Sequence, residues 1–220
     1  ARSNLDRVQR EMDQSIARLS SGKRITRAHD DAAGTAIAGR MESQIRGLNM
    51  SIRNVKDGQS LVDTMEGATQ EASAMLQRIR EIAVQSSSGV ATTTDKTYLQ
   101  LEIAELVKEI NAIGSNTVFN DTVALSANYN VFTDIDVNGT AVAISSNTIS
   151  SAKLAITIAN VNLTAAAPEV SAVITIVDKA IAFLDNNRAK LGAISNRFDH
   201  IIDNLTNVVA NTESSRSRVE

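Results

Sequence analysis

Residues 30–88 read DDAAGTAIAGRMESQIRGLNMSIRNVKDGQSLVDTMEGATQEASAMLQRIREIAVQSSS. Ile37, Met41, Ile45, Leu48, Ile52 and Val55 follow one another in steps of three and four. Val62, Met65, Ala72, Leu76, Ile79 and Ala83 resume the rhythm after Asp57-Gly58. Such spacing draws a narrow apolar seam along one side of a helix, the pattern of a helix that packs lengthwise on others. No proline interrupts the stretch, so nothing in it removes a helical hydrogen bond. At ~1.5 Å per residue a helix of this extent reaches on the order of 85 Å. It needs partners along its whole length.

On the N-terminal side, Leu5, Val8, Met12, Ile16 and Leu19 predict a first amphipathic helix, which Gly22 stops. Residues 24–29 read as extended or irregular. Asp30 or Asp31 is placed to cap the long helix by accepting from its free N–H groups. Gly34, Gly39 and Gly47 each weaken a helix by about 1 kcal/mol relative to Ala, so close approach of another backbone is their expected use.

On the C-terminal side, Ser86-Ser87-Ser88-Gly89 marks a turn, with Thr94 or Asp95 as the next cap. Leu99, Ile103, Leu106, Ile110 and Ile113 form the seam of a helix that Gly114 closes, folded back antiparallel on the long one. From residue 116 to about 167 charge thins out and β-branched residues accumulate. Val131–Val137 and Thr140–Ser145 read as strands joined at Asn138-Gly139, a type I′ hairpin signal. Leu154, Ile156 and Ile158 alternate as a further half-buried strand. Pro168, the single proline, stands in the first turn of a last helix. Its seam is Val170, Ile174, Val177, Ile181, Leu184, Arg188, Leu191, Ser195, Phe198, Ile202, Leu205 and Val209, with Arg188 and Ser195 as polar register positions.

The fold class expected is therefore mainly α: a long antiparallel helical bundle or coiled-coil rod built from both chain ends, with a small β-rich insert. Residues 1–120 supply the N-terminal helices, 121–167 the insert and 168–220 the C-terminal helix. Aromatics make up only 3% of the 220 residues, and Trp is absent, so small aliphatic side chains do the packing. A net charge of −3, with 22 basic residues dispersed among 25 acidic ones, offers no patch for nucleic acid. No apolar run approaches the ~20 residues that cross a bilayer. Cysteine is absent, which removes disulfide and thiolate chemistry.

Several motifs resemble those of bacterial flagellin, the subunit of the flagellar filament. Residues 16–25, IARLSSGKRI, and 28–34, AHDDAAG, are similar to one family signature. LQRIREIAVQ at 76–85, NTVFN at 116–120, LGA at 191–193, NRF at 196–198 and SRSRVE at 215–220 follow in the family's order. The resemblance covers about 1–120 and 168–220. It implies a self-assembling rod for motility, whose partners are other flagellin subunits and the flagellar export apparatus. It also implies a secreted, extracellular location on the bacterial flagellum, with no cleaved signal and no membrane insertion. Flagellins carry further terminal segments that fold together in the filament. A core rod fragment lacking the extreme termini is thus expected to remain a monomer.

The resemblance also implies an innate immune recognition patch, read by the vertebrate flagellin-sensing Toll-like receptor. It maps onto Arg78, Ile82 and Glu102, where Ile82 replaces a leucine and Leu106 a residue that is often basic. Arg78 and Ile82 lie one helical turn apart. The bland alternative is that Arg78 and Glu102 are solvated or contact a neighbouring subunit. His29 and His200 have no ligand cluster beside them, and 121–167 holds no His, so no metal, cofactor or catalytic residue is expected, and no enzyme. Asp30-Asp31 is explained by capping. Two other readings stay open: a hook–filament junction protein, and a flagellin-like cell-surface protein that binds a polysaccharide through its insert.

Overall fold

The computed structural model describes residues 2–133, 141–145, 148–164 and 167–220. Four helices, α1 (Arg2–Ser21), α2 (Ala32–Ser86), α3 (Thr93–Asn116) and α4 (Ala167–Val219), carry most of the chain. Four short strands lie between α3 and α4: β1 (Val118–Phe119), β2 (Thr122–Val123), β3 (Tyr129–Phe132) and β4 (Ala141–Ile144). The mainly α class with a small β insert is what the periodicity predicts. Contacts divide the chain into two units. One comprises Ala1–Asn54, Phe132–Thr140 and His200–Glu220; the other comprises Val55–Val131 and Ala141–Asp199.

In the first unit α1 ends where expected. Gly22 takes a positive φ of 66° and its N–H donates to the Arg18 carbonyl at 2.9 Å, the usual helix stop. Leu5, Val8, Met12, Ile16 and Leu19 are all exposed, Leu19 to 84%. Of the two aspartates at the start of α2, Asp31 is the cap: its Oδ1 accepts from Gly34 N–H at 2.8 Å. Asp30 does other work. Its Oδ2 accepts from Thr26 N–H at 3.3 Å, Thr26 Oγ1 at 3.0 Å and Arg27 N–H at 3.1 Å. Its Oδ1 accepts from Gln14 Nε2 of α1 at 2.9 Å and lies 3.2 Å from His29 Nε2. One carboxylate thus organises the irregular segment and ties α1 to it. The last turn of α4 closes the unit. Ile25 N–H donates to the Glu220 carbonyl at 2.9 Å, Lys23 meets the Glu220 carboxylate at 2.6 Å, and Arg216 pairs with Glu42 of α2.

The expected backbone approach at the α2 glycines is not what Gly34 and Gly39 provide. Gly34 faces the side chains of Asp31 and Ile25, and Gly39 faces open space.

In the second unit α2 and α4 run antiparallel. Gln59 Nε2 donates to Asp199 at 2.9 Å, Arg188 approaches Glu66 at 3.8 Å, and Arg80 Nε donates to Asp178 at 2.7 Å. From 59 to 80 and from 199 to 178 the advance is twenty-one residues each way, so neither helix slips against the other over three heptads. Gly58 makes room for this contact, because a Cβ there would stand 2.7 Å from Val131 and 3.3 Å from the Phe198 ring. On α4, Val170, Val177, Leu184, Leu191, Phe198 and Leu205 are all buried, seven residues apart. The intervening buried positions are Val173, Ala180 and Asn187, one residue earlier than the expected Ile174, Ile181 and Arg188. Asn187, not Arg188, is the buried polar residue of this seam.

Helix α3 folds back on α2 as predicted, but its cap is Thr92. The Thr92 side chain accepts from Asp95 N–H, and the Asp95 carboxylate accepts from Thr92 N–H in return, a reciprocal capping box. The Asp95 carboxyl is held below its ordinary value by the Thr92 side-chain hydrogen bond and then by the Thr92 backbone. Gly114 does not end α3, which continues to Asn116 and closes on Thr117. It lies instead under the Ile149 carbonyl. The buried seam is Ile103, Val107, Ile110 and Gly114, turned slightly from the expected one.

The β1–β2 hairpin pairs Val118 with Val123 and Phe119 with Thr122. Asn120 and Asp121 have φ of 48° and 59°, which makes a two-residue type I′ turn. β3 pairs with β4; the expected turn at Asn138-Gly139 lies outside the described residues. Leu154–Ala159 is not a strand. It is a run of turns in which Ile156 N–H donates to Ser151 O at 2.9 Å across Ala155 at φ 57°. Two α3 amides pin this segment. Asn111 exchanges bonds with Ser151, donating to its Oγ at 3.0 Å and accepting from its N–H at 2.8 Å. Gln100 donates to Val161 O at 2.9 Å and accepts from Leu163 N–H at 2.8 Å, as a neighbouring strand would.

Candidate interaction surface

Arg78 stands on α2 and Glu102 on α3, and the short 87–92 connection brings the two helices side by side. Arg78 Nε donates to Glu102 Oε1 at 2.8 Å and its second group donates to Glu81 Oε2 at 3.2 Å. The hydrogen bond to Glu102, then that to Glu81, raises the pKa of the guanidinium above its ordinary value. Both partners are exposed. Ile82 is different. It is 0% exposed, so of the three residues expected on this patch only Arg78 and Glu102 present themselves to a partner. The one-turn spacing puts Arg78 and Ile82 on neighbouring stripes of α2, and only the first is exposed. Leu106 is half-buried.

An open groove runs beside the pair, with Gln85, Val90 and Tyr98 in its walls and Glu102 at its edge. Tyr98 and Leu101 are 66% and 62% exposed. Sequence reasoning passed over both. Their signal is that they stand three residues apart and off the α3 seam, on the stripe that a single folded-back helix leaves uncovered.

A second concavity of about 240 Å³ lies between α2, α4 and β4. Met65, Leu125, Leu191 and Ile194 give it an apolar lining, and Lys190 contributes the charged residue. Among the described residues no group of three or more His, Asp and Glu is arranged to hold a metal. His29 lies against Asp30, whereas His200 is exposed on α4. No described helix is long and apolar enough to cross a membrane.

Comparison with known proteins places these elements. Residues 1–130 match the bacterial flagellin N-terminal helical region, and residues 174–220 match the bacterial flagellin C-terminal helical region. A flagellin of Halalkalibacterium halodurans is 39% identical over 98% of this chain and 78% of its own length. A flagellar filament core protein of Brachyspira hyodysenteriae is 35% identical over 95% of this chain and 78% of its own. The crystal structure of Bacillus cereus flagellin superposes with a TM-score of 0.60 at 29% identity, covering 70% of this chain and 88% of that one. A putative flagellar hook-associated protein of Vibrio parahaemolyticus shares the fold, with a TM-score of 0.71 at 16% identity over 86% of this chain and 99% of that one. With both terminal helical regions matched in order and relatives aligned along nearly its whole length, the chain belongs to the bacterial flagellin family.

Proposed function

We propose that the chain is a structural subunit of the bacterial flagellar filament, secreted through the flagellar export apparatus and assembled with other copies of itself. One observation carries this reading. The two regions that match the family, at opposite ends of the sequence, lie against one another, with α2 and α4 in an unslipped antiparallel register. A stiff pair of helices in fixed register offers long faces on which many weak contacts can add up. Identities of 35–39% to flagellin and filament core proteins favour the filament subunit over a hook-associated protein, to which the likeness is one of fold.

The exposed Arg78–Glu102 pair and the groove beside it are the surface we assign to contact with neighbouring subunits. The vertebrate flagellin-sensing receptor would read the same surface through Arg78 and Glu102, with Ile82 supporting them from below.

The test is polymerisation. The full-length protein, incubated with salt, is expected to give tubular filaments by electron microscopy. Persistent monomers under all salt conditions would sink the reading.

A further inference from the structure

Helix α3 carries an exposed apolar ridge, and the second unit carries a concave apolar site elsewhere. Tyr98, Leu101 and Glu105 stand at i, i+3 and i+7 on α3, one stripe of its outer face, and all three are exposed. The cleft of about 240 Å³ floored by Met65, Leu125, Leu191 and Ile194 opens to solvent, so a side chain from outside can enter it. An apolar cavity of ~150 Å³ already holds a benzene ring, so this one has room for a leucine side chain and part of an aromatic ring.

Charge points the same way. Lys190, in the cavity wall, is exposed, and no described carboxylate pairs with it. Among the described residues Glu105 on the ridge pairs only with Lys108, also exposed, and Glu109 follows one turn later. An apolar knob with acidic flanks faces an apolar hole with a basic rim.

The two features cannot meet within one copy. The cavity sits at the level of Thr69 on α2, whereas Tyr98 shares a groove with Gln85. Sixteen residues of α2 separate the levels, about 24 Å at ~1.5 Å per residue. We propose that Tyr98 and Leu101 of one copy dock into the Met65–Leu191 cavity of a second copy, with Glu105 beside the second copy's Lys190. Different patches are used on the two sides, so each copy keeps a free knob and a free hole. A contact of this kind repeats without closing on itself and generates a row of subunits. The inference rests on the self-assembling reading and adds to it which surface meets which.

The chain has no cysteine, so engineered thiols report only on themselves. In filaments formed by the full-length protein, the double variant Leu101→Cys with Ile194→Cys is expected to give a ladder of covalent multimers on mild oxidation. Each single variant should give none. A wild-type chain that never polymerises overturns the functional reading and this contact with it. Filaments that form but give no ladder overturn the contact alone, and dimers from Leu101→Cys by itself would do the same by placing ridge against ridge.

If the thiol pair itself blocks assembly, charge reversal decides. Lys190→Glu and Glu105→Lys should each raise the critical concentration several-fold, and together they should restore it. Independent effects that merely add would overturn the pairing.

Discussion

The carbonyl oxygen of Ile149 lies against Gly114 in the position that a side chain would occupy. The insert is thereby seated on α3 by a backbone contact that glycine alone allows. Asn111 and Gln100 then hold the following residues, so 149–163 runs along α3 towards its N-terminus.

Gly114→Ala should therefore destabilise the protein in spite of alanine's better helix propensity. Forcing a methyl group into a filled site costs about 1–3 kcal/mol, which outweighs the gain of ~1 kcal/mol from replacing a helical glycine. Gly67→Ala makes the opposite comparison, because a Cβ at Gly67 meets nothing within 4 Å. It should stabilise by about 0.5–1 kcal/mol. Urea unfolding of the two variants checks both signs, and equal shifts in one direction would contradict the packing at Ile149.

Gln100→Ala removes a donor and an acceptor at once, leaving the Val161 carbonyl and Leu163 N–H without their partner. Leu163 is fully buried, so water replaces these bonds poorly. A loss of about 1–3 kcal/mol is expected, with hydrogen exchange at Leu163 N–H accelerating more than at the α2 core. Unchanged protection at Leu163 would show that the segment holds its place without the amide.

At Asp30, whose side chain is only 2% exposed, burial is the largest single influence and pushes the carboxyl pKa up, but hydrogen bonds from Thr26 and Arg27 and the neighbouring His29 together outweigh it and bring the value below the ordinary 3.8. A depressed folded pKa contributes stability above the unfolded value, and that contribution is lost as pH falls through the folded one. Wild type should thus exceed Asp30→Asn by a constant margin at neutral pH. The margin should shrink only below about pH 4, where the unfolded carboxyl begins to protonate. Thermal unfolding of both chains from pH 7 to pH 2 measures it; a margin that grows on acidification would reverse the sign.

Arg78 and Ile82 separate surface from core. Ile82→Ala should cost about 2–4 kcal/mol, as deletion of a fully buried aliphatic group does. Arg78→Ala should leave the unfolding midpoint close to wild type, since its carboxylate partners are exposed and screened. In the assembly assay the order is expected to invert for variants that still fold, with Arg78→Ala raising the critical concentration. Equal losses of stability would mean that the Arg78–Glu102 pair is structural.

Along α4 the sequence by itself determined the stripe. Val170, Val177, Leu184, Leu191, Phe198 and Leu205 are apolar every seventh residue, and all are buried, because a helix converts local spacing into a face without reference to anything distant. The bounds at Gly22 and at the Asp31 cap were legible for the same reason, since each acts within a single turn, whereas α3 starts from a Thr92 cap and runs past Gly114 to Asn116. Which flank of the stripe is covered was not legible. Val173, Ala180 and Asn187 are buried in place of their C-terminal neighbours because α4 packs between particular partners on one side, and the spacing three or four serves either side equally well. The same limit hid the fate of Ile82, whose burial depends on what packs against α2.

Leu154, Ile156 and Ile158 alternate like a strand, yet their backbone bonds go to local turns, while Val161 and Leu163 are held by the Gln100 amide. Nothing near residue 161 announces a partner sixty-one positions earlier. Periodicity is written in neighbouring residues and survives any tertiary context; the choice of partner across the chain is made only when the whole core packs.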